Sequence, residues 1–270
     1  MEIRCSTLSG YADCPRRSAC RLIHDEIIGA GFSLRDESRG IGATIGTSVH
    51  SGAFTTMEMK IKTGGEPCSE AQAIDSSMAT YDEQAVDVSY DSTTPDKSTG
   101  EKQVIRQTKA FYHIVAPKII PVKAEDRMKA SIGKNFILSG QPDVITADKA
   151  IRDLKCGSVA RDCRAQVGGY GILASSNEIP ADKAVQDFIK RVRVSKEQAP
   201  PEENWYDLEM SKKVAWNVLK KIIHDVDDFI TTENPWSFLS NPMSMLCSRK
   251  YCTASKDWCE YATGKKFDVI

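Results

Sequence analysis

Cysteine gathers at the two ends of this chain, and no other feature limits its possible folds so strongly. Of nine cysteines in 270 residues, Cys5, Cys14 and Cys20 lie near the start, and Cys247, Cys252 and Cys259 near the end. An odd number cannot all pair as disulfides, and in a reducing cytosol none is expected to. Buried thiols, reactive groups or metal ligands remain. Cys247-x4-Cys252-x6-Cys259 is a close-set thiolate group after the last long helix. Tetrahedral or cluster coordination needs one ligand more, and Cys14, within Tyr11-Ala-Asp-Cys14-Pro-Arg-Arg17, is the leading candidate, with Cys5 and Cys20 as rivals. Such a site would tie the first turns of the chain to its last ones and close a very long loop, a gain of several kcal/mol on loop-closure grounds. Four cysteines suit zinc or an iron–sulfur cluster, and spacing alone leans to zinc. Cys68, Cys156 and Cys163 read as packing residues.

With 41% hydrophobic residues the chain can bury one large core, or one core with an appended subdomain. Its net charge of −1 excludes a histone-like positive coat but leaves room for a local basic groove. No apolar run approaches the ~20 residues that span a bilayer. The opening Met1-Glu-Ile-Arg-Cys-Ser lacks a basic region followed by an apolar stretch. The expectation is a cytoplasmic protein of a bacterial, archaeal or phage-infected host cell, without a membrane partner.

Periodicity gives a coarse map. Residues 7–28 read as helical, broken at Pro15. A glycine-rich loop is expected over 29–46, then a helix from Thr47, capped by Thr47 or Ser48, through His50 to Ile61 and closed by Gly64-Gly65. Helices follow over about 69–86 and 101–116, with a polar loop between them. The pattern then turns β-like at 117–122 and 135–146, with a short turn at Ala147-Asp148-Lys149 into a strand over 150–156. A helix over about 161–175, a strand carrying Ala184, Phe188, Val192 and Val194, and a long amphipathic helix after Pro200-Pro201 complete it.

The densest chemistry sits on the hairpin. Asp143 ends Gly140-Gln-Pro-Asp143, and Asp153-Leu-Lys155 lies on the returning strand. Residues two apart on a strand share a face, so Asp153 and Lys155 point together, and pairing across the turn can bring Asp143 beside Asp153. Converging carboxylates make an oxygen-rich site suited to Mg²⁺ or Mn²⁺. A lysine beside them can act on a metal-activated water and steady negative charge on a phosphate.

Gly46-Thr-Ser-Val-His50, Gly140-Gln-Pro-Asp143, Asp153-Leu-Lys155 and Gln166-Val-Gly-Gly-Tyr170, in this order, resemble the motifs of the RecB-like PD-(D/E)XK nucleases. These include the nuclease domains of RecB and AddB and the CRISPR-associated RecB-like exonucleases. The resemblance runs from Tyr11 to Cys259 and is weak over 60–135. It implies an α/β fold with a restriction-endonuclease-like core, a mixed central sheet flanked by helices, and a helical cysteine-ligated subdomain formed by the two termini. The implied organisation is a helical segment 1–30, a nuclease core 40–200 with a helical insertion at about 65–116, and a long helix with the cysteine segment over 201–270.

By the same resemblance, His50, Asp143 and Asp153 would hold the Mg or Mn ion and Lys155 would act on water. Gln166 and Tyr170 would face the site, and Arg16, Arg17 and Tyr170 would meet DNA. A subset of the family carries one cysteine in an N-terminal Cys-Pro-Arg-like motif and three near the C-terminus, together binding a [4Fe–4S] cluster. Here those would be Cys14, Cys247, Cys252 and Cys259, with zinc as the alternative. The first C-terminal gap is four residues, where the commoner form has two. No Gly-x4-Gly-Lys-Ser/Thr phosphate loop occurs, so the chain has no ATP motor of its own.

The expected activity is therefore a metal-dependent exonuclease on DNA ends or single strands, serving recombination, repair or spacer processing. Its expected companions are a separate helicase, recombinase or annealing protein, and copies of itself. The competing readings are a restriction-type endonuclease, and a non-catalytic DNA-binding or assembly subunit that keeps the cysteine site.

Overall fold

The computed structural model describes residues 1–36, 39–133 and 135–262. They form a mixed α/β architecture, two mixed sheets flanked by helices. The larger sheet runs in the order β2 (Pro121–Ala124), β5 (Val144–Thr146), β6 (Ala150–Gly157), β7 (Lys183–Lys190), β8 (Glu202–Asp207). Only β6 and β7 are parallel, and a parallel pair needs a crossover, here α7 (Arg164–Ser176). The smaller sheet sets β4 (Ile137–Gly140) between β1 (Glu2–Arg4), which is parallel to it, and β3 (Met128–Ser131), which is antiparallel.

Both faces of the central strand are covered, and its sequence shows why. Ile151 enters a core shared with α1 (Cys5–Asp13), α7 and α8 (Leu208–Thr232). Leu154 enters a second core with α4 (Ile41–Thr63) and α6 (Lys97–Ala110). The two charged residues between them need partners at this depth. Arg152 finds Asp187 at 2.6 and 2.9 Å and Glu203 at 3.1 Å, and Asp153 belongs to the site described below.

Several boundaries differ from the periodic reading. Residues 135–146 are not one strand. Pro142 has no N–H to give a ladder, and there the chain leaves the small sheet and enters the large one, so only β5 pairs with β6. Helix α4 starts at Ile41 rather than Thr47, with Gly40 at its N-cap. Thr47 and Ser48 cap nothing; their hydroxyls bond back to Ala43 O and Thr44 O. The N-terminal helical stretch breaks at Pro15 and again at Ile23, giving α2 (Pro15–Leu22) and α3 (His24–Gly29). Short strands β1, β3 and β8 carry too little alternation to be seen in sequence, and Val192 and Val194 lie past the end of β7.

Helix α5 (Glu70–Gln84) opens on a reciprocal cap between Ser69 and Gln72. Gly64 closes α4 in the left-handed conformation at φ 77°. At the far end, Trp258 is fully buried against Phe32, Phe229 and Phe238, with ring centroids 5.5, 5.4 and 5.9 Å away. The last described turns therefore pack on α2 and α8. Among the described residues no helix is long and apolar enough to cross a membrane.

Candidate active site

The β5–β6 ladder pairs Ile145 with Ile151 and Val144 with Arg152. One step further along that register, Asp143 meets the Asp153–Leu154 stretch. Its Oδ2 accepts the Leu154 N–H at 2.6 Å, and its Oδ1 lies 3.0 Å from Nδ1 of His50, presented by α4. Asp153 is 1% exposed. Its Oδ1 accepts from Nε2 of Gln166 at 3.1 Å, and that same nitrogen donates to the Tyr170 hydroxyl at 2.8 Å. Its Oδ2 lies 2.7 Å from Nζ of Lys155 but has no aligned hydrogen bond to any group. Strand and helix periodicity thus bring six sequence-predicted residues together: His50, Asp143, Asp153, Lys155, Gln166 and Tyr170.

Glu125 joins them unforeseen. It follows β2 with a left-handed backbone, φ 47°. Its N–H donates to Asp143 O at 3.1 Å and its carboxylate accepts from Gln141 at 3.1 Å. A non-glycine residue in that conformation is strained, and such strain gathers at functional sites. The only trace in the sequence is the acidic pair Glu125-Asp126 in a polar break, with no spacing rule to connect it to the hairpin. Glu125, His50, Gln141, Asp143 and Lys155 share the wall of a cavity of about 500 Å³.

The two aspartates are driven apart electrostatically. Burial, aided by the Asp143 charge, pushes the Asp153 carboxyl up to about 6, and Lys155 offsets it only in part. Burial also works upward on Asp143, but the charge and hydrogen bond of His50, with Lys155 and the Leu154 N–H, hold it below the usual carboxylate range. Burial works downward on His50 and Lys155, and the neighbouring carboxylates outweigh it, so both are raised. Neighbouring acids whose surroundings drive their pKa values apart mark a candidate functional site.

Among the described residues no three His, Cys, Asp or Glu side chains stand as a ready-assembled ligand set for a metal ion. The candidate oxygens are turned instead to His50, Lys155, Gln166 and backbone. What they offer a cation is the buried Asp153 Oδ2, which faces only Lys155 and has no aligned hydrogen bond, and the carboxylates of Asp143 and Glu125 on the cavity wall. That donor set fits a hard divalent cation.

At the termini, Cys14, Cys247, Cys252 and Cys259 line one small cavity, and none is in a disulfide. Burial raises the thiols of Cys247, Cys252 and Cys259, the last to about 11. Cys20 stands beside this group: burial and the neighbouring Cys252 and Cys259 raise it to about 12. Cys5 is elsewhere, packed against Gly140 and Gly169 near Tyr170, and so drops out as a rival ligand.

The basic pair does not face solvent. Arg16 is 1% exposed, with Nε on Phe238 O at 2.8 Å and Nη1 on Trp258 O and Glu260 at 3.0 and 3.1 Å. Arg17 is held by Asp13 at 2.8 Å and Ser244 at 3.0 Å. Arg16 therefore joins the chain ends rather than meeting DNA; a charge pattern cannot distinguish a surface arginine from one that saturates buried carbonyls. Tyr170, 5% exposed, walls a polar cavity of about 250 Å³ with Arg4, Arg127 and Gln141.

No family model matches the chain, and no curated protein matches it in sequence. Among solved structures, the crystal structure of a protein called "Putative exonuclease", from Eubacterium rectale, matches at TM-score 0.47 and 13% identity, over 83% of this chain and 80% of that one. The crystal structure of SSO0001 matches at TM-score 0.27 and 10% identity, over 74% of this chain and 84% of that one. Similarities this distant leave the functional reading to the site itself.

Proposed function

We propose that the protein is a divalent-metal-dependent nuclease that hydrolyses DNA phosphodiesters, on single strands or at duplex ends, as in the RecB-like enzymes its motifs resemble. One observation carries the reading: a buried Asp153 carboxylate ion-paired with Lys155 at 2.7 Å and in electrostatic contact with Asp143 across the strand pair. Asp143, Asp153 and Glu125, with His50 adjoining, would hold Mg²⁺ or Mn²⁺, which when bound supplies Lewis-acid polarisation of the scissile phosphate. Lys155 has a raised pKa and stays cationic at neutral pH. It can orient the attacking water and steady the charge that develops on phosphate. Gln166 fixes the Asp153 carboxylate and is itself backed by Tyr170.

The four cysteines around one cavity support a structural metal centre, [4Fe–4S] or Zn²⁺, at the junction of the termini. Iron and zinc content of anaerobically purified protein, with its visible absorbance, separates the two.

The test of the activity is cleavage of end-labelled single- and double-stranded DNA with Mn²⁺ or with EDTA. Product that forms only with the metal, and disappears in Asp153→Ala, is expected. Product that persists in EDTA or in that variant sinks the mechanism.

A further inference from the structure

The active-site cavity does not end at Asp143. Gly42 and Ala43, in the first turn of α4, line both that cavity and a larger neighbour of about 630 Å³. The neighbour lies between the start of α4 and the 249–253 stretch of the cysteine-bearing segment. Among the described residues, five cationic side chains line it, Arg21, Arg39, Arg191, Arg249 and Lys250, against two carboxylates, Asp36 and Asp91. Asp91 is committed to Arg191 by a two-point pair at 2.7 and 3.2 Å. Arg39, Arg249 and Lys250 are exposed, and none is in an ion pair with another of the described residues. Lys250 Nζ stands 5.3 Å from the ring centroid of Tyr251, a residue 52% exposed. In a chain of net charge −1 this is a local concentration of positive charge. The α4 terminus adds to it, with no acidic residue in its first turn.

We propose that this cavity is a second nucleic-acid subsite, which binds the unpaired nucleotides flanking the scissile phosphate through Arg39, Arg249 and Lys250 and stacks a base on Tyr251. The identity of the ligand rests on the nuclease reading above. Exposed cations spread over two segments match a row of phosphates rather than one small anion, since each contact releases a condensed counterion. An exposed tyrosine beside a lysine is a platform for a base that has left the duplex, and stacking tolerates any sequence. The shared wall at Gly42 and Ala43 sets the subsite beside the cavity that His50 and Asp143 line. Cys252 lines both this cavity and the cysteine cavity, so the segment carrying Arg249–Tyr251 is anchored at its base.

The test is fluorescence anisotropy with a labelled single-stranded oligothymidylate and the full chain in EDTA, where no cutting competes. The triple variant Arg39→Gln, Arg249→Gln, Lys250→Gln is expected to raise Kd at least tenfold, and to make the slope of log affinity against log salt shallower by about 2, at ~0.7 per lost phosphate contact on a single strand. Tyr251→Ala should weaken binding by about tenfold, roughly the worth of one stacked base, and leave the salt slope unchanged. A control that removes equal charge elsewhere, Lys62→Gln, Lys183→Gln, Lys220→Gln, should bind as the wild type does. All four positions of the proposed subsite are exposed, and melting curves check that folding is intact. A triple variant with wild-type affinity and slope, or a control that loses as much as the triple, overturns the subsite. Wild-type protein that binds the strand but never cuts it refutes the nuclease reading alone. Wild-type protein that cuts while the triple variant binds normally refutes the subsite alone.

Discussion

Asp153 occupies a position where burial opposes the charge that the proposed chemistry needs. Its carboxyl is pushed up to about 6 from an ordinary 3.8. Between those values the folded chain holds a proton that the unfolded chain has released. The stability this group contributes is thus complete below about pH 4 and is lost as pH rises through about 6. At ~1.4 kcal/mol per unit, the swing for this group alone is up to about 3 kcal/mol. Asp153→Asn removes it. Denaturant unfolding in EDTA should therefore show the Asn variant gaining on the wild type between pH 4.5 and 7.5, whatever their relative stability at the lower pH. A constant difference across that range would mean that Asp153 titrates normally. This residue was legible in sequence because strand periodicity turns the spacing of Asp153 and Lys155 into a shared face. Glu125 was not, because it arrives by a tertiary route, on a backbone strained by packing rather than by any local signal.

At the scale of elements, the glycines of Gln166-Val-Gly-Gly-Tyr170 explain how α7 can present Gln166 and Tyr170 inward. A Cβ added at Gly168 would lie 2.0 Å from Ser211 O and 2.4 Å from its carbonyl carbon, backbone atoms of α8 that no rotamer change can move. Gly168→Ala should force α7 and α8 apart and cost about 1–3 kcal/mol from overpacking, more than the ~1 kcal/mol alanine otherwise gains in a helix. Gly46 sits in a helix too, but its added Cβ would meet only Cys156, at 3.9 Å. Gly46→Ala should therefore hold or raise the thermal midpoint while Gly168→Ala lowers it. Equal shifts would show that the helix contact is softer than it looks. The motif marked the helix, but the reason for its glycines lies in α8, some forty residues on. The same distinction explains the misread strand at 135–146: its β character is local, whereas the change of sheet at Pro142 depends on which strands wait on either side.

At the scale of the whole molecule, the first helices and the last described turns meet through an aromatic cluster as well as through the cysteines. Trp258 fills an aromatic cluster with Phe32, Phe229 and Phe238, donates its Nε1–H to Arg16 O at 3.1 Å, and accepts from Arg16 Nη1 at 3.0 Å. Those rings are scattered from Phe32 to Trp258 and share no motif, so the sequence suggested a cysteine tie and concealed an apolar one. The two contributions separate by metal loading. Trp258→Ala leaves a cavity in the cluster and should cost about 3–5 kcal/mol with or without metal. Cys259→Ser changes little volume at a buried position, and in metal-free protein it should shift stability by only about 1 kcal/mol. A ligand that binds only the folded chain adds stability with its concentration over Kd, and loss of one thiolate removes most of that gain. In metal-loaded protein the same serine should therefore cost several times more than in the chelated form. If Cys259→Ser moves the unfolding midpoint equally in both states, the four cysteines hold no metal, and the ends are joined by packing alone.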